Sequence, residues 1–134
     1  MTNNPQQPFF SILIPAYNAG KYLERCINSI QQQSFKSYEI IIVDDCSSDQ
    51  TYSIAFGIQE VTQNTTVFRN ETNSGTHTTR MKAASYAKGV YCLFIDPDDF
   101  FAKEALQCLY VKLQNTSIDI LEFAYCTTPD YSIV

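Results

Sequence analysis

The chain has 134 residues, 45% apolar and 17% charged, with a formal net charge of −5. Such a length and composition suit one globular core and exclude disorder and a coiled coil, and nine scattered Lys and Arg residues leave no electrostatic footprint for a nucleic acid. No apolar run approaches the roughly 20 residues that span a bilayer, and the polar start through Gln7 lacks the basic and apolar regions of a signal peptide.

A cytoplasmic protein is therefore expected, with room for peripheral contact at the inner face of a membrane. Five cysteines, odd in number and without a Cys-x-x-Cys pair, read as reduced thiols rather than as a disulfide framework or a zinc site. The sequons at Asn64, Asn70 and Asn115 read as chance. Residues 1–8 read as a polar leader and 9–134 as one domain.

Residues 9–14 form a short apolar run stopped by Pro15, which predicts a buried strand. Leu23, Cys26, Ile27 and Ile30 then recur at helical spacing within 21–33. Residues 39–43 are nearly continuous and β-branched, as in a strand covered on both faces, and the acidic, serine-rich loop 44–49 can cap a helix from about Gln50. A weaker strand at 66–69 leads through a turn into a helical stretch ending near Gly89, a residue suited to a helix C-terminus. The strand at 90–95 runs into Asp96-Pro97-Asp98-Asp99, a helix follows around Ala105 to Leu113, and 118–125 is predicted to close the chain as a strand.

Strands alternating with helices predict an α/β domain with a mainly parallel central sheet. In such a sheet ligands bind beyond the carboxyl ends of the strands, where this chain carries its distinctive polar loops. Asp96 and Asp98 flank a proline at one strand end; repelling carboxylates of this kind suit a Mg²⁺ or Mn²⁺ that bridges them to a diphosphate. The alternative is that Asp98 and Asp99 cap the next helix. Asp44 and Asp45 follow another strong strand, so two acidic clusters would share one crevice, and a divalent-metal nucleotide site is the leading physical reading.

These residues carry a resemblance. The stretch 11–18 ending in Pro15-Ala16-Tyr17-Asn18, the helix 22–30, the strand and loop 38–49 with Asp44-Asp45, the segment Asn73-Ser74-Gly75 through Arg80, and Ala87-Lys88-Gly89 to Asp96-Pro97-Asp98-Asp99 resemble glycosyltransferase family 2. The resemblance implies a GT-A, Rossmann-like α/β/α sandwich that binds a nucleoside-diphosphate sugar, a UDP-sugar foremost, and transfers the sugar to a glycan, lipid-linked or other hydroxyl acceptor with inversion. It implies that Pro15 and Tyr17 border the base, Asp45 accepts a hydrogen bond from it, Arg80 lies near the phosphates, Asp96 near the ribose or metal, and Asp98 on the metal.

Tyr17 as a packing ring and Arg80 as a surface arginine are the plain alternatives. Cys46 stands where the family usually has glycine, so its loop is expected to manage without a residue free to take positive φ. The family's general base lies in the acceptor-binding half, which this chain is expected to lack; Glu122 and Asp130 do not match its motif, and His77 reads as a surface residue. Loss of that half would leave an apolar edge open to self-association. Two other functions compete: a nucleotide-sugar-binding module without turnover, and a phosphoacceptor receiver domain. The receiver fails on position, because a strand and helix precede Asp44 and no lysine follows the last apolar strand.

Overall fold

The computed structural model describes residues 7–123. Its elements follow in the order β1 (Phe10–Ala16), α1 (Leu23–Gln31), β2 (Tyr38–Asp44), α2 (Thr51–Val61), β3 (Thr65–Arg69), α3 (Thr76–Ser85), β4 (Tyr91–Phe94) and α4 (Ala105–Leu113). The four strands make one sheet in the order β3-β2-β1-β4, and every pairing is parallel.

Side chains alternate across the central strands, and each set finds its own helices. Phe10, Ile12 and Ile14 of β1 with Ile40 and Ile42 of β2 pack beside Leu23, Ile27 and Ile30 of α1, Ala55 of α2 and Leu106 and Leu109 of α4. Leu13, Ile41 and Val43 point the other way, onto Ala83 and Ala84 of α3. Both faces of β1 and β2 are thus covered, which is why these strands read as unbroken apolar runs.

Three local expectations change. β1 continues through Pro15, which pairs with Val43, and ends at Ala16. The Asp45 amide donates to the Ala16 carbonyl, so Ala16 faces β2 and its neighbour Pro15 faces the β4 side, where pairing has already ended at Leu13 and Phe94. A missing N–H costs nothing there. Gly89 is not a helix end, since α3 stops at Ser85. It lies against β1, where a Cβ would stand 2.5 Å from the Ser11 amide nitrogen, and it donates to the Ser11 hydroxyl.

The third change concerns the strand expected at 118–125: residues 118–123 take no strand conformation, and 124 and 125 lie outside the described residues. The segment is tied to β4 by a side chain instead of a ladder, with the Tyr91 hydroxyl donating to the Ile118 carbonyl, and Ile120 remains 86% exposed. Among the described residues, no helix is long and apolar enough to cross a membrane.

Candidate functional site

Beyond the carboxyl ends of β1, β2 and β4 lies a cleft of about 340 Å³. Pro15, Tyr17, Asp45, Asp96 and Asp98 all line it, joined by Ala19, Tyr22, Thr76 and Thr79. Of the six residues to which the resemblance gives a role, Arg80 alone is not in the lining; it reaches the site through an ion pair, with its Nη2 2.7 Å from Asp96 Oδ1. Tyr17 is 53% exposed, so its ring faces the cleft instead of packing in the core.

Asp44 and Asp45 part company because successive residues at a strand end face opposite ways. Asp44 is fully buried, accepts from the Ser47 amide and pairs with Arg69 at 3.2 Å. Arg69 in turn donates to the Ser47 carbonyl, so this aspartate holds its own loop together and does not line the cleft. Asp45, also buried, turns toward the cleft. Its Oδ1 accepts from Asn70 Nδ2 at 2.8 Å and the Ser74 amide at 2.7 Å, and its Oδ2 accepts from the Gly75 amide at 2.9 Å. Burial alone would raise this carboxyl, but Asn70, the Ser74 and Gly75 amides and Thr79 outweigh it and hold the group below the ordinary aspartate value.

The loop between β2 and α2 takes a left-handed turn despite lacking glycine. Cys46 itself takes φ 59°, so the loop manages without glycine by holding a cysteine in the left-handed region. Its neighbours enforce the turn: Ser47 Oγ accepts from the Asn18 amide, and Asn18 Oδ1 accepts from the Ser48 amide. Asp49 accepts from the Gly20 and Thr51 amides, which fastens the loop after β1 to the start of α2. Burial works against the Asp49 charge, yet the Thr51 and Gly20 hydrogen bonds lower its titration below the ordinary value.

Asp96, Asp98 and Asp99 present carboxylate oxygens that lie within 4.8 Å of one another. Asp99 titrates above its ordinary value, first from desolvation and then from Asp98 and Asp96, with Arg25 opposing. Three crowded oxygens with surplus negative charge are the donor set that a hard divalent cation takes. Arg25 grips the loop from α1, donating from Nη2 to the Asp98 carbonyl at 2.6 Å and lying over the Phe100 ring. Beneath it, burial and then Asp99 push the Cys26 thiol up to about 12, so this thiol stays protonated.

The sequence reading missed Asn70, Thr79 and Lys82. Asn70 looked like a turn residue and a chance sequon, but it is buried with its amide fully bonded and closed to modification. Its position directly after β3 was the available signal. His77 is exposed, as expected.

Residues 11–128 match the family described as Glycosyl transferase family 2. TuaG of Bacillus subtilis, named for teichuronic acid biosynthesis, is 39% identical over 107 residues, covering 80% of this chain and 42% of TuaG. The poly(ribitol-phosphate) beta-N-acetylglucosaminyltransferase TarS of Staphylococcus aureus is 36% identical over 115 residues, covering 84% of this chain and 20% of TarS. The crystal structure of TarS 1-349 in complex with UDP-GlcNAc superposes with a TM-score of 0.74 at 37% identity, covering 78% of this chain and 31% of that one. A mannosyltransferase from Pyrobaculum calidifontis, in complex with GDP-Man and Mn²⁺, gives a TM-score of 0.74 at 21% identity, a likeness of fold alone. The chain spans less than half the length of these relatives. It belongs to glycosyl transferase family 2 and has that family's GT-A fold, a parallel sheet between helices with its cleft at the strand ends.

Proposed function

We propose that this chain is the donor-binding part of a glycosyltransferase, holding a nucleoside-diphosphate sugar, UDP-linked, together with a divalent cation. One observation carries the reading: a single cleft is lined by an exposed aromatic ring, a buried carboxylate and the paired carboxylates of Asp96 and Asp98. Tyr17 offers a face for the base, with Pro15 beside it. Asp45 keeps roughly one of about four carboxylate acceptor positions open after the Asn70, Ser74 and Gly75 donors, since the Thr79 hydroxyl donates to the Gly75 carbonyl, and that is enough for one base N–H. Asp96 and Asp98, with Asp99 behind them, have the oxygen donors that suit Mg²⁺ or Mn²⁺. Arg80, ion-paired with Asp96 at the acidic loop, would serve as a second cation toward the phosphates.

A bound divalent ion would offset the charge that grows on the leaving diphosphate. The protein's own contribution is placement: the base is fixed between Tyr17 and Asp45, and the reacting end is directed past Asp96 and Asp98. Attack by an acceptor hydroxyl, with inversion, needs a general base, and no described residue is assigned that role. TarS structures hold UDP and UDP-GlcNAc, which supports a UDP-sugar here. Calorimetry with UDP tests the reading. Binding with Mn²⁺ that weakens at least tenfold in EDTA supports it, while equal affinity without metal removes the role of Asp98.

A further inference from the structure

We propose that Lys82 and Asn70 are positioning residues that aim the Asp45 carboxylate at the nucleotide base and thereby set discrimination between bases. The inference rests on the base-binding role given to Asp45 above.

Asn70 is 6% exposed and follows β3 directly, with its own amide nitrogen bonded to the Asp44 carbonyl at 2.8 Å. Its side-chain amide has both ends spoken for. Nδ2 donates to Asp45 Oδ1 at 2.8 Å and to Thr79 Oγ1 at 3.2 Å, while Oδ1 accepts from Lys82 Nζ at 2.7 Å. An ammonium has donors and no acceptor, so Lys82 admits one orientation of this amide: oxygen toward α3, nitrogen toward Asp45. The reverse orientation would set Oδ1 against the Asp45 oxygen, acceptor against acceptor.

Thr79 and Lys82 lie three residues apart on α3 and therefore on neighbouring parts of one face. Together they grip Asn70 from the same helix whose preceding loop gives Ser74 and Gly75 amides to Asp45. The result is a buried carboxylate whose countercharge sits one hydrogen-bonded residue away, behind the amide, and not in the cleft. A cation in direct contact would occupy the acceptor position that Asp45 otherwise keeps for a ligand. An N–H at that position is favoured, as uracil offers at N3; cytosine presents a lone pair at the same place and is disfavoured.

The test compares UDP, CDP and inorganic diphosphate by calorimetry with Mn²⁺ for the wild-type chain and for Lys82→Met, Lys82→Arg and Asp45→Ala. The wild type should prefer UDP over CDP, and Asp45→Ala should erase the preference. Lys82→Met should cut it about three- to tenfold, the effect of one lost hydrogen bond, with diphosphate affinity unchanged. Lys82→Arg should restore it. Asn70→Ala should behave as Lys82→Met does; if that buried change prevents folding, the partly buried Lys82 at the surface of α3 decides the matter. A wild-type preference that Asp45→Ala erases and Lys82→Met leaves intact overturns the positioning pair while sparing the base site. Absence of any preference in the wild type overturns both. Equal loss of UDP and diphosphate binding in Lys82→Met also overturns the pair, since it marks general loosening of the site.

Discussion

At the scale of single residues, Asp45 combines two duties that are normally separate, because the same carboxylate that faces the cleft also organises the loop before α3. Replacing it with asparagine presents an NH₂ group or a single oxygen to the Asn70, Ser74 and Gly75 donors. Asp45→Asn should therefore lower stability by about 2–3 kcal/mol at neutral pH, the scale of a charged hydrogen bond. The pH dependence has a definite sign. The folded-state value of Asp45 lies below the ordinary 3.8, so its contribution is complete above that value and is lost as pH falls beneath it. Denaturant titrations from pH 7 downward should show wild type and variant converging below about pH 4; a constant gap would contradict the assignment. The pair Asp44 and Asp45 was legible in the sequence from its place after a strong strand, and the family resemblance singled out Asp45. Its partners were not, because Asn70, Ser74 and Gly75 reach it across 25 or more positions of chain, and nothing in periodicity or turn chemistry records which of two adjacent aspartates turns toward the cleft.

At the scale of elements, strand and helix identity were readable wherever one face is buried, and the departures fall where a neighbour decides. Pro15 stays in β1 because β4 has ended beside it, and Gly89 is demanded by a close approach to β1 and not by a helix end. Two glycines make a contrasting pair. A Cβ at Gly57 within α2 meets nothing within 4 Å, so Gly57→Ala should raise stability by about 0.8–1 kcal/mol. A Cβ at Gly89 collides with the backbone of Ser11 and Phe10, so Gly89→Ala should cost about 3 kcal/mol or more by prising β4 from β1. Thermal unfolding of the two variants checks both signs. The left-handed Cys46 offers a third case. Cys46→Gly relieves about 1–2 kcal/mol of backbone strain and gives back about half of it as unfolded-state entropy, for a net gain of about 0.5–1 kcal/mol. A loss of stability would show that the Cys46 sulfur, 3.5 Å from the Glu71 carbonyl, outweighs the strain.

At the scale of the whole molecule, the parallel sheet and its helices were legible from alternation alone, whereas the closing strand was not. Ile118 to Phe123 has the residues for a strand and lacks a ladder partner, which a linear pattern does not reveal. Among the described residues β4 is an edge of the sheet, with Phe94 47% and Phe123 48% exposed beside a groove of about 810 Å³. Exposed apolar surface on a free edge favours self-association, so sedimentation should show a concentration-dependent dimer that an Ile120→Lys change suppresses. A strictly monomeric wild type at high concentration would contradict this.

The central claim, one cleft with the base at Tyr17 and Asp45 and a cation at the acidic loop, is tested most directly by residue-resolved amide NMR of the chain with UDP. Addition of UDP and Mg²⁺ should move resonances of Tyr17, Asp45, Gly75 and Thr76. Substitution of Mn²⁺ should broaden signals centred on Asp96 to Asp99, and Asp98→Ala should abolish that broadening. Shifts gathered along β4 and Ile118 instead, or Mn²⁺ broadening centred away from the acidic loop, would contradict the assignment.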